Sequence, residues 1–174
     1  MSICYSMDPK ADVAAVREKC IAAEKEGYSY ICLPQWFVST AADELKGKAT
    51  GVATIVSLPG GTTSPDSKYA EAKWAIANGV GLIIFPVNME LLKAGDLSAA
   101  KSDLDAALVA CKTANGRKSG VKAAALIDGM GLDEATLRAA AGFCVASGVC
   151  AVIIAHNEKA VEALKGEFPA VEAF

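Results

Sequence analysis

Asp128 and His156 are the residues of this chain whose types and placement best suit proton transfer. Each closes a short apolar run, 122–127 and 149–155, and the two runs read as neighbouring strands, so a carboxylate and the chain's one imidazole would stand side by side. Cys32, next to last in a third run at 28–33, is the remaining candidate, a thiol near that pair. A lone histidine at a strand end more often sits at the surface or caps a helix, and a cysteine within an apolar strand more often packs in the core. Gln35, Trp36, Ser57, Asn88 and Asn157 fall at the same ends of their runs. Gly60-Gly61-Thr62-Thr63-Ser64 has the composition of a small anion-cradling turn, although such loops are common connectors. Lys122 begins its run, at the end opposite the other candidates, which suits a snorkelling surface lysine better than a carbonyl-trapping amine.

Strands are expected near 2–5, 28–33, 51–57, 81–87, 122–127 and 149–155, each apolar and rich in β-branched or aromatic residues. Helical periodicity lies between them. Residues 12–25 place Val13, Val16, Cys20 and Ile21 on one face, and 68–78 do the same with Tyr69, Ala72 and Ile76. Residues 97–114, begun by Ser98, then 132–147 and 157–165 complete the series, with Gly27, Gly79 and Gly148 where C-terminal caps belong. Pro65 and Asp66 mark a helix start. Apolar strands alternating with amphipathic helices imply an α/β fold, a TIM-barrel-like (β/α) repeat with about six parallel strands, incomplete relative to the eight-stranded barrel. One domain spanning 1–174 is expected.

The stretch 133–148 resembles the helix that leads into the catalytic strand of the 2-deoxyribose-5-phosphate aldolases. Residues 31–33 and 37–41 resemble that family's second strand and loop, and Pro59 with Gly61 its Phe-Pro-His-Gly turn. Glu71-Ala72-Lys73-Trp74-Ala75-Ile76-Ala77-Asn78-Gly79 and Leu91-Leu92-Lys93-Ala94-Gly95-Asp96 match it most closely. The resemblance places the family's strand-four aspartate on Ile84 and its Schiff-base lysine on Ile153. It puts the second, activating lysine and the Gly-rich phosphate loops on strands beyond the six expected here. Cys32 is a like-for-like match, with the neighbouring proline one place early at Pro34, and Lys93 matches a lysine of no catalytic role. These replacements imply a non-catalytic pseudoenzyme of the aldolase fold, a self-associating structural or scaffold unit. The alternative is a small aldolase- or lyase-like enzyme acting on a sugar-phosphate-like carbonyl substrate through a different set, Asp128, His156 and Cys32.

Six strands in an open sheet would leave an apolar concave face and two unpaired edges, to be covered by the tail 168–174, by closure of the sheet with fewer strands or by a second copy of the chain; a homo-oligomer or larger assembly, or a protein partner, is expected. A net charge of -3 and a pI near 5.2 argue against nucleic acid, and the run 112–122 reads as a solvated loop. No apolar run approaches membrane-spanning length, and the first residues lack a signal peptide's pattern. Six cysteines without C-x-x-C spacing suit reduced thiols in a cytoplasmic protein, and a single histidine gives no metal set; no cofactor is expected.

Overall fold

Asp12, Ser64, Asp96, Asp133 and Asn157 each accept a hydrogen bond from the backbone N–H three residues on, and each thereby starts a helix. The computed structural model describes residues 1–114, 117–118, 120–169 and 171–173. Its first half runs β1 (Ile3–Tyr5), α1 (Val13–Lys25), β2 (Tyr30–Cys32), α2 (Val38–Glu44), β3 (Gly51–Ile55), α3 (Pro65–Ala77), β4 (Leu82–Pro86) and α4 (Met89–Lys93). The second half runs α5 (Leu97–Lys112), β5 (Thr113–Ala114), β6 (Arg117–Lys118), β7 (Lys122–Asp128), α6 (Glu134–Ser147), β8 (Ala151–Ala155), α7 (Glu158–Lys165) and β9 (Val171–Ala173).

Seven strands form one sheet in the order β1-β2-β3-β4-β7-β8-β9, every neighbouring pair parallel. This is the incomplete TIM-barrel-like α/β fold, curled and wrapped by helices. Strand alternation divides its side chains. Ile31, Ile83, Phe85, Ile127, Val152 and Ile154 point outward to the helices, whereas Cys32, Ile55, Leu82, Ile84, Ala124 and Ile153 meet in the interior. The Met1 ammonium lies 2.8 Å from the Glu172 carboxylate, linking the regions of the two edge strands.

The strand count departs from the expected six. The tail supplies the seventh: Val171 pairs with Val152, and Phe168 packs on the outer core, while Phe174 lies outside the described residues. Two of the expected covers act on the concave face: the tail adds an edge strand, and the sheet curls tightly enough to leave Ile84 and Ile153 with 0% exposure. Asp96, not Ser98, caps α5, which stops at Lys112 where Thr113 turns extended. The expected loop 112–122 contains the antiparallel pair β5–β6; residues 115, 116 and 119 lie outside the described residues. Helix α1 buries Val16, Cys20 and Ala23 and leaves Val13 and Ile21 exposed. Helix α3 buries Lys68, Ala72 and Ala75 in place of the expected Tyr69 face.

Candidate functional site

A cleft of about 430 Å³ opens where β3, β4, β7 and β8 end, the end at which barrel folds of this type carry their sites. Its floor follows from strand parity. In β7 the even-numbered Ala124 and Leu126 face inward, so Asp128 continues that row to the mouth; in β4 the row Leu82, Ile84 continues through Pro86 to Asn88. Leu126 is in register with Ile153, and Asp128 with Ala155. Polar groups therefore begin one inward step above the sealed interior.

Asp128 and His156 meet in this cleft. His156 Nδ1 lies 3.0 Å from Asp128 Oδ1, which also accepts the Met130 N–H at 3.1 Å. The His156 ring bond, then the Met130 bond, hold the Asp128 carboxyl below the ordinary carboxylate range. His156 has a left-handed backbone (φ 58°), which ends the strand alternation just where its ring reaches Asp128. Among the described residues, the other non-glycine with positive φ is Ser57 (φ 63°), at the end of the β3 run on the same mouth.

The loop after β3 is clamped from α3. Glu71 accepts the Ser57 N–H at 2.8 Å and the Gln35 amide at 2.9 Å, tying together the ends of β2 and β3. Lys68, buried, donates to the Gly61 carbonyl at 2.6 Å and pairs with Asp103 of α5. Gly61 needs its freedom: φ is +70°, and a Cβ there would lie 2.1 Å from the Pro86 carbonyl oxygen. This is how the loop Gly60–Ser64 reaches the cleft, with Gly60 and Thr62 on its wall.

The remaining candidates stand apart. Cys32 is fully buried in the interior, its Sγ 3.9 Å from Met7 Sδ, and burial pushes its thiol up to about 12. It does not share the cleft with Asp128 and His156. Lys93 lines the cleft and pairs with Glu90 at 2.9 Å; Lys122 lies at the opposite end of the sheet beside Cys150. Sequence reasoning missed Lys68 and Glu71. The spacing of Lys68 with Ala72 and Ala75, one helix face, was the available signal for the first. Among the described residues no group of three or more His, Cys, Asp or Glu could hold a metal ion. No helix of the described residues is long and apolar enough to cross a membrane.

No protein-family model matches the chain. It is similar to the deoxyribose-phosphate aldolase of Brevibacillus brevis, 31% identical over 100 residues, which cover 58% of this chain and 45% of that one. The fold matches a structure described as a putative deoxyribose-phosphate aldolase from Coccidioides immitis with a TM-score of 0.79 at 22% identity, covering 88% of this chain and 58% of that one. It also matches a structure described as the unique tetrameric structure of deoxyribose phosphate aldolase from Aeropyrum pernix, with a TM-score of 0.74 at 15% identity, covering 88% of this chain and 62% of that one. The chain spans about half the length of the curated relatives it matches. It is thus related to the deoxyribose-phosphate aldolases in sequence and shares their fold. The expectation of a non-catalytic scaffold, a pseudoenzyme, is overturned here: the relatives bear an enzyme's name, and none of these comparisons points to a structural role.

Proposed function

We propose that the chain is a small aldolase- or lyase-type enzyme acting on a sugar-phosphate-like carbonyl compound through Asp128 and His156. The observation that carries this reading is the Asp128–His156 contact inside the cleft, at the strand ends. The relatives' name and the two left-handed residues at the same mouth, where backbone strain tends to gather at working sites, support it. With Nδ1–H directed at Asp128, Nε2 is the lone-pair nitrogen of a neutral imidazole. In carbon–carbon cleavage, Nε2 takes the proton of the substrate's β-hydroxyl. The bond between the α and β carbons breaks, and its electron pair passes into the carbonyl to give an enolate. The β carbon leaves as an aldehyde, and the imidazolium, stabilised by Asp128, returns its proton to the enolate. Cys32 has no part in this scheme.

Turnover of a panel of β-hydroxy aldehydes and ketones, phosphorylated and free, tests the reading. His156→Ala and Asp128→Asn should each cost roughly a hundred- to ten-thousandfold in rate, and borohydride added during turnover should trap no adduct. No turnover across the panel, full activity in His156→Ala, or a trapped adduct at Lys93 would each overturn it.

The same proposal includes one domain over 1–174, a reducing cytoplasmic setting and a homo-oligomer. Six unbridged cysteines support the second. Exposed Trp36, Leu58 and Met130, with the tetrameric relative from Aeropyrum pernix, support the third, which light scattering across a concentration series measures.

A further inference from the structure

The proton-transfer scheme leaves one polar group of the cleft without a task, the carboxamide of Asn88. Its Oδ1 is buried and has no hydrogen-bond partner among the described residues. The other polar side chains that line the cleft are engaged: Thr62 Oγ1 with the Pro59 carbonyl, Lys93 with Glu90, and Asp128 with His156 and Met130. Asn88 also precedes α4 as its N-cap yet makes no side-chain bond to that helix. Asp12, Ser64, Asp96, Asp133 and Asn157 all make that bond. A buried acceptor without a donor is unfavourable, and folded proteins keep few of them. Asn88 thus forgoes both the cap and any other partner while lining the cleft, two inward steps beyond Ile84.

We infer that Asn88 is a specificity-determining residue whose carboxamide, turning about its terminal bonds to bring the oxygen into the cleft, accepts a hydrogen bond from a hydroxyl of the substrate. The inference rests on the reading of the cleft as a site for a hydroxylated carbonyl compound, and it selects a polyhydroxy compound over a plain aldehyde or ketone. An acceptor oxygen needs a donor. A carbonyl or a phosphate dianion supplies none, whereas a hydroxyl both donates and accepts and satisfies the carboxamide in either orientation about its terminal bond. Asn88 binds and orients the substrate; His156 moves the proton.

Binding tests this without turnover. The full chain is titrated, by chemical-shift changes of ¹⁵N-labelled protein, with ribitol 5-phosphate and with 1,5-pentanediol monophosphate, which has the same carbon chain without the inner hydroxyls. Wild type should bind the polyol about three- to tenfold more tightly, the range of one net hydrogen bond. Asn88→Leu and Asn88→Ala, two variants so that one misfolded protein does not decide the matter, should erase that ratio and leave pentanediol monophosphate binding unchanged. Ribitol against 1,5-pentanediol repeats the comparison without phosphate and separates a sugar from a sugar phosphate. Equal affinities in wild type, a ratio that survives in both variants, or no binding of any probe would overturn the inference. A wild type that turns nothing over but keeps an Asn88-dependent ratio sinks the enzyme reading and upholds this assignment.

Discussion

Lys68 and Asp103 form an ion pair between α3 and α5 that is almost sealed from water, with the lysine side chain 1% exposed and the aspartate 10%. The same ammonium holds the Gly61 carbonyl, so a pair placed in the helix layer reaches the wall of the cleft. Removing one partner strands a buried charge. Lys68→Met should lower the unfolding free energy by about 3–5 kcal/mol, and adding Asp103→Leu should recover most of that. Urea denaturation of both single variants and the double variant checks it; a double loss equal to the sum of the two single losses would show that the charges are independent.

Gly60 and Gly61 both have positive φ but differ in their surroundings. A Cβ at Gly60 meets nothing within 4 Å, so Gly60→Ala should cost only the left-handed backbone penalty, about 1 kcal/mol. At Gly61 the new carbon would fall against the Pro86 backbone, so Gly61→Ala should cost far more and reshape the cleft wall. Thermal unfolding of the two variants side by side gives the comparison.

Burial pushes the thiol of Cys20 up to about 11 and those of Cys32, Cys111 and Cys144 up to about 12. A group whose value is raised on folding stabilises fully below its unfolded value and loses that contribution as pH climbs toward the folded one. Stability should therefore fall from about pH 9 upward, each thiol adding a slope of about 1.4 kcal/mol per pH unit. Cys144→Ala should flatten that alkaline slope. A thiol reagent at pH 8 should label exposed Cys150 and half-buried Cys4 first, and the four buried thiols only after denaturation.

The Asp128 carboxyl is held low by His156 and Met130, so its contribution runs the other way. It is present above the ordinary carboxylate value and lost as pH falls through the depressed one. With both side chains mostly exposed the effect is small. Asp128→Asn should leave stability near pH 7 almost unchanged and remove one step of the acid-side decline, read from denaturation midpoints between about pH 2 and 5.

Strands and their order of appearance were legible because each is a continuous apolar run between turn residues, and the parallel sheet follows from the helices between them. The seventh strand was not, since Val171–Ala173 is three residues long and gains its identity only by pairing with β8. Helix faces were read partly wrong where small residues decide burial: Ala23 and Ala75 face the sheet while the larger Ile21 and Tyr69 do not. At the site, Asp128 beside His156 was readable from the adjacency of their strand ends, whereas the left-handed turn at His156 that brings its ring to Asp128 was not. The clamp of Lys68 and Glu71 was not, because both look like solvent-facing helix charges until the loop folds back onto them.

The filled interior separates what keeps the chain folded from what it presents to a ligand. Ile84, Ile153 and their neighbours bury their side chains below the level at which Asp128, Asn88 and His156 begin. Substitutions at the mouth then draw little on the packing beneath, and the rim can be rewritten while the floor stays intact. For directed evolution this makes the chain a compact starting scaffold, in which libraries confined to the strand ends sample new reactions with most members still folded.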